Sequence, residues 1–121
     1  MQYLLLIYDD EAKSAKMAED ERNALYGAYS AYTNELRDSG AYVAADQLHP
    51  TATATSVRIR DGEQLTTDGP FAETKEQLGG FYLIEVDSSE EAIEWAAKIP
   101  SARTGTIEVR PLVQITADTQ A

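Results

Sequence analysis

The sequence predicts a single α+β domain in which two helices cover one face of an antiparallel sheet. Three observations carry that expectation. Residues 2–8 and 81–86 are short runs apolar on both parities, which marks strands covered on both faces. Residues 18–39 and the stretch from Ser88 to Pro100 carry apolar side chains at helical spacing. Between them, Asp61-Gly62 is a two-residue turn signal between strand-like segments.

The elements follow in chain order. The opening run Tyr3-Leu4-Leu5-Leu6-Ile7-Tyr8 is a central strand, and Asp9 to Lys16 is an acidic linker. Asp9-Asp10-Glu11 lacks the glycine and ligand spacing of a calcium loop and is expected to be a solvated charge run. The first helix places Leu25, Ala28, Tyr29, Tyr32 and Leu36 on one face, with Tyr26 to the side. Glu19, Asp20 and Glu21 suit its N-terminal dipole, and Ser39-Gly40 stops it. Strands follow at 41–48 and 54–60, where Val57 and Ile59 alternate with Ser56, Arg58 and Arg60. The two arginines are expected to pair with Glu63 or other surface acids.

The hairpin returns through residues 63–67, and Asp68 to Gly80 reads as an irregular segment. Thr74 and Gln77 have the spacing of a capping box, which predicts one helical turn there. Residues 81–86 are the second doubly apolar strand. Ser88 and Glu91 form a capping box for the second helix, whose bulk comes from Ile93, Trp95, Ala96 and Ile99. The last strand, 106–115, turns Ile107, Val109, Val113 and Ile115 inward. The order is a ferredoxin-like βαββαβ plan with an inserted hairpin. With both helices on one sheet face, the other apolar face is left open. A homodimer with sheets packed face to face is expected.

The 121 residues amount to one domain, 1–121, able to bury about two thirds of its unfolded surface. With no cysteine there is no disulfide, thiolate metal site or cysteine nucleophile. A net charge of -11 disfavours nucleic acid and anionic membranes, whose phosphates need clustered basic groups. No run reaches the length of a membrane helix, and the N-terminus has no basic start before a cleavable apolar core. A cytoplasmic location is expected. No cofactor or metal is called for: Gly79-Gly80 leads into a strand, unlike a phosphate-binding loop, which opens a helix.

Several residues are candidates for a ligand site. His49, the sole histidine, has a side chain suited to proton transfer near neutral pH, or it bonds a backbone carbonyl in a loop. Asp46 precedes it at an odd offset, on the opposite strand face. In the Asp68–Gln77 loop, Gly69 suits positive φ, and Pro70 fixes a φ that aims Phe71. Two readings of this loop stand: a structural staple, or the border of a small-molecule cavity supplied by Asp68, Glu73 and Lys75. Tyr29 belongs either to the helix core or to an aromatic wall of such a cavity.

The run Thr67-Asp68-Gly69-Pro70-Phe71-Ala72-Glu73-Thr74-Lys75-Glu76-Gln77-Leu78-Gly79-Gly80-Phe81 resembles the signature of the DGPF-domain proteins, a branch of the YCII-related family. The opening strand, Tyr32-Thr33-Asn34-Glu35-Leu36, Thr51-Ala52-Thr53-Ala54-Thr55 and Glu108-Val109-Arg110-Pro111 fit as well. The resemblance implies a dimeric α+β barrel of two ferredoxin-like subunits, in a family whose members are mostly uncharacterised. Some members carry a His in the first helix and an Asp near the end of the second, proposed as an active pair. Neither is present here, where the second helix ends in Lys98-Ile99-Pro100.

Two functions are therefore expected as alternatives. One is small-molecule binding in a barrel cavity, with proton-transfer or lyase-type chemistry if the protein is an enzyme. The other is a non-catalytic module linked to an extracytoplasmic-function sigma factor response, which the resemblance suggests through the genes such proteins neighbour.

Overall fold

In the computed structural model, which describes residues 1–114, β1 (Gln2–Asp9) runs through the interior of a four-stranded sheet. Two helices follow, α1 (Glu11–Ala15) and α2 (Glu19–Asp38). Next come β2 (Tyr42–Gln47), a 3-10 turn at Thr51–Thr53, β3 (Thr55–Arg60), β4 (Glu63–Asp68) and β5 (Gln77–Glu85). α3 (Ser89–Ala97), a 3-10 turn at Pro100–Arg103 and β6 (Thr106–Pro111) complete the order. The sheet runs β2-β5-β1-β6 with every neighbouring pair antiparallel, and β3 and β4 form a separate two-stranded sheet. The architecture is α+β, with antiparallel sheets and helices. Among the described residues no helix is long and apolar enough to cross a membrane.

The period of two along β1 sorts its side chains. Tyr3, Leu5 and Ile7 are buried in one cluster with Tyr32 and Leu36 of α2 and with Ala92 and Ala96 of α3. Leu4, Leu6 and Tyr8 point to the opposite face and are half-buried. Leu5, Leu36, Ile84 and Ile99 are the largest fully buried side chains. Burying each contributes about 1.5–3 kcal/mol. Tyr32 meets the rings of Tyr82 and Trp95 edge-on, with centroids 5.0 and 6.0 Å away. Its hydroxyl donates to the Trp95 carbonyl at 2.9 Å.

The expected punctuation is in place at both turns and caps. Gly40 has φ +83° after α2, and Asp61 and Gly62 both have positive φ at the hairpin tip, as a primed turn requires. The Ser88 hydroxyl accepts from the Glu91 N–H and caps α3.

Several expectations are corrected. The acidic linker contains α1, because Asp10 caps it by accepting from the N–H groups of Ala12 and Lys13. Nor is Asp9-Asp10-Glu11 a solvated run: the Thr104 hydroxyl donates to Asp9 at 2.8 Å, and Glu11 holds Thr51. Residues 77–80 form the start of β5, so the capping box of Thr74 and Gln77 is not made. The Gln77 side-chain amide donates back to the Thr74 carbonyl at 2.6 Å. Gly79 is the extra residue at a bulge, where Ile7 pairs Gly80 and Tyr8 pairs Leu78. A Cβ on Gly80 would lie 2.8 Å from the Asp46 carbonyl oxygen, so β2 and β5 need glycine there.

On α3, Ile93 is 58% exposed and Ala92 takes the buried position. β6 ends at Pro111, which leaves Val113 exposed, and Ile115 lies outside the described residues. Among the described residues the ion pairs are Met1 amino–Glu85 and Lys98–Glu35, and neither Arg58 nor Arg60 pairs with Glu63.

Candidate functional site

The concavity that takes in most of the candidate loop lies where β4, the loop after it and the start of β5 converge. It measures about 410 Å³ and is lined by Thr51, Asp68, Pro70, Ala72, Glu73, Thr74 and Gln77. Each wall is set by local chemistry. Asp68 ends β4 opposite Thr55, at the root of the hairpin. Gly69 then turns the chain with φ +95°, and its N–H donates to the Ala54 carbonyl at 2.7 Å. The Ser56 hydroxyl holds the Gly69 carbonyl at 2.9 Å. The chain leaves in the direction that Pro70 imposes.

The opposite wall is tied down by a relay across distant segments. The Thr51 N–H and hydroxyl donate to the two oxygens of the Glu11 carboxylate at 2.9 and 2.7 Å. The Glu11 N–H donates to the Gln77 side-chain oxygen at 2.9 Å, while that side chain's NH2 reaches the Thr74 carbonyl. Four segments, α1, the 3-10 turn, the loop and β5, thus share one network. Hydrogen bonds to an ionised carboxylate are about twice as strong as neutral ones, so Glu11 holds this wall firmly. Beside it the Thr106 hydroxyl donates to Glu76 at 2.8 Å, which ties β6 to the same end of the sheet.

Of the residues singled out from sequence, the structure brings Asp68 and Glu73 together at this cleft. Phe71 and Lys75 belong to the same loop but do not line it; Phe71 is 80% exposed. His49 is exposed beyond the end of β2, two residues before Thr51. Tyr29 sits elsewhere, on α2, where its hydroxyl shares a hydrogen bond with buried Ser101 and its ring packs on the core. Burial holds the Tyr29 hydroxyl above the ordinary tyrosine pKa, against the opposing pull of the Ser101 bond. Burial likewise raises Tyr32 and Tyr82, the latter offset in part by its bond to Thr33.

Sequence reasoning missed Thr51 as part of this site and Glu11 as its support. Their spacing of 40 residues carries no local signal. Gln77 was visible only as a capping residue, and its actual bonds run to Glu11 and Thr74.

Fold and site together define an α+β protein with a four-stranded antiparallel sheet, helices on one face and a carboxylate-bearing cleft beside a free-standing hairpin. Residues 1–116 match the YCII-related domain, and the chain belongs to that family. It is 40% identical over 114 residues to an uncharacterized protein of Rhizobium meliloti (strain 1021), a match that covers 93% of this chain and 92% of that one.

Proposed function

We propose that the protein is a DGPF-type member of its family that acts as a cytoplasmic homodimer, two ferredoxin-like subunits packed sheet to sheet as an α+β barrel. Each subunit binds a small molecule in the cleft beside Asp68. The strand order β2-β5-β1-β6 supports the ferredoxin-like reading. The open sheet face supports the dimer: Leu4 pairs Leu83 and Leu6 pairs Phe81 across β1 and β5, a half-buried apolar strip that none of the described helices covers.

The observation that carries the binding reading is the cleft itself. It offers two carboxylates, Asp68 and Glu73, with the hydroxyl-bearing Thr51 and Thr74 and the amide of Gln77 around them. Such a lining suits a ligand rich in hydrogen-bond donors, and a carboxylate is the group there able to accept a proton.

A thermal-shift screen of small metabolites against the wild type and the Asp68→Asn/Glu73→Gln double variant tests this. Ligands that raise the wild-type midpoint are expected to lose their effect in the variant. Equal shifts in both proteins, or no shift with any compound, would overturn the assignment and leave the interaction-module alternative as the better account.

A further inference from the structure

Among the described residues, the hairpin formed by β3 and β4 is held to the rest of its own chain only at the root. Apart from half-buried Ser56, the residues of both strands and the turn between them are exposed. Among the described residues its two strands pair only with each other, and the bonds anchoring it are those of Gly69 to Ala54 and Ser56. At about 3.3 Å per residue, six-residue strands carry the Asp61-Gly62 tip about 20 Å from that anchor. A lone two-stranded hairpin is marginal in water. This one also shows Val57 (57% exposed) and Ile59 (59% exposed) side by side on one face.

The surface area says what is missing. The chain exposes 8753 Å², whereas a compact monomer of 13.3 kDa exposes about 6,450 Å². The residues beyond 114, even counted as wholly exposed chain, account for no more than about 1,000 Å² of that excess. More than about 1,000 Å² remains, above the roughly 800 Å² that each partner buries in a standard interface.

We infer that the β3–β4 hairpin is an arm that lays its Val57/Ile59 face on a second copy of this chain. The inference rests on the dimer proposed above and adds a second contact to it, separate from the sheet strip. By two-fold symmetry each copy gives one arm and receives one. Because β4 ends in Asp68, the docked arm also fixes one wall of the partnered cleft.

Sedimentation velocity on the full chain at micromolar concentration separates the possibilities. The Val57→Glu/Ile59→Glu variant is expected to weaken dimerisation by at least about 100-fold, about 2.8 kcal/mol, because two apolar anchors of the seam become charges of the same sign as the partner. Its far-UV circular dichroism should show the core folded, because neither side chain belongs to the core cluster. Leu83→Glu, on the open sheet, should also dissociate the dimer. A dimer that persists undiminished in the arm variant but dissociates with Leu83→Glu overturns the arm and keeps the dimer; a monomeric wild type overturns both.

A second readout does not depend on any loss of affinity. The chain has no cysteine, so Ile59→Cys carries a photo-crosslinker at a single site. Crosslinks are expected between copies; crosslinks only within one chain would overturn the arm.

Discussion

Gly105 immediately precedes β6, and its replacement by alanine is the sharpest test of how that strand is seated. A Cβ built there would overlap the Tyr8 carbonyl oxygen and lie 3.0 Å from its carbon and 3.1 Å from the Asp9 Cα, all of them backbone atoms. No side chain can swing aside to make room. Reaching the ordinary contact distance of 3.4 Å or more means parting β1 from β6 by over an ångström at the Tyr8–Thr106 pair. A ladder bond of about 2.9 Å stretched that far leaves hydrogen-bonding range. Losing one or two such bonds and loosening Ile107 from the core costs about 3 kcal/mol. For a domain of this size that lowers the midpoint of thermal unfolding by about 12 °C. Alanine's smaller unfolded-state entropy returns less than about 1 kcal/mol. Urea unfolding followed by circular dichroism, at one fixed protein concentration, measures the difference. A Gly105→Ala protein within about 0.5 kcal/mol of wild type, the range of an ordinary surface substitution, would refute the close approach of β6 to β1.

Three further outcomes are expected. Gly27 lies inside α2 with nothing within 4 Å of the place a methyl group would take, so Gly27→Ala should stabilise by about 0.5–1 kcal/mol in the same unfolding assay. Glu11→Gln, which keeps the shape but not the charge that Thr51 binds, should cost about 1–2 kcal/mol; Thr51→Val in that background should then cost less than it does alone, as a double-mutant cycle would record. Tyr29, Tyr32 and Tyr82 all have raised folded-state pKa values, mainly from burial. Their stabilising effect is complete below pH 10, where folded and unfolded forms alike are protonated. Above pH 10 the unfolded chain loses these protons first, so stability falls as pH rises toward the folded-state values. The ultraviolet absorbance of tyrosinate should show Tyr29, Tyr32 and Tyr82 ionising late in the folded protein. Replacing Tyr29 by Phe should flatten the alkaline fall.

The parts of the fold that could be read from sequence are those whose causes lie within a few residues. The doubly apolar run at residues 2–8, the helical stripe through Tyr32 and Leu36, the Asp61-Gly62 turn and the Ser88 cap each act over less than two turns of chain. The misplaced features have causes far away. β5 begins at Gln77 rather than Phe81 because β1 and β2 supply partners for Gln77 to Gly80, including the bulge at Gly79. Of the two glycines, Gly79 is the bulge residue and Gly80 permits the close approach of β2. α1 was hidden because five residues carry no visible period. Of the site, Asp68 and Glu73 were legible through the density of polar groups between glycines. Glu11 and Thr51 were not, since their bond joins residues 40 apart.

The amino-acid sequence by itself determined the class of the protein: its α+β element order, its acidic surface, its family and the loop that lines its cleft. Local hydrogen bonding and side-chain period suffice for that, because they act along the chain. Only the tertiary structure decided which strands neighbour one another, that Gly105 must be glycine, that Glu11 anchors Thr51 behind the cleft wall, and that the hairpin stands clear of its own core. Those outcomes depend on which surfaces meet in space, where backbone atoms leave no room for a methyl group and a carboxylate finds its donors across the fold.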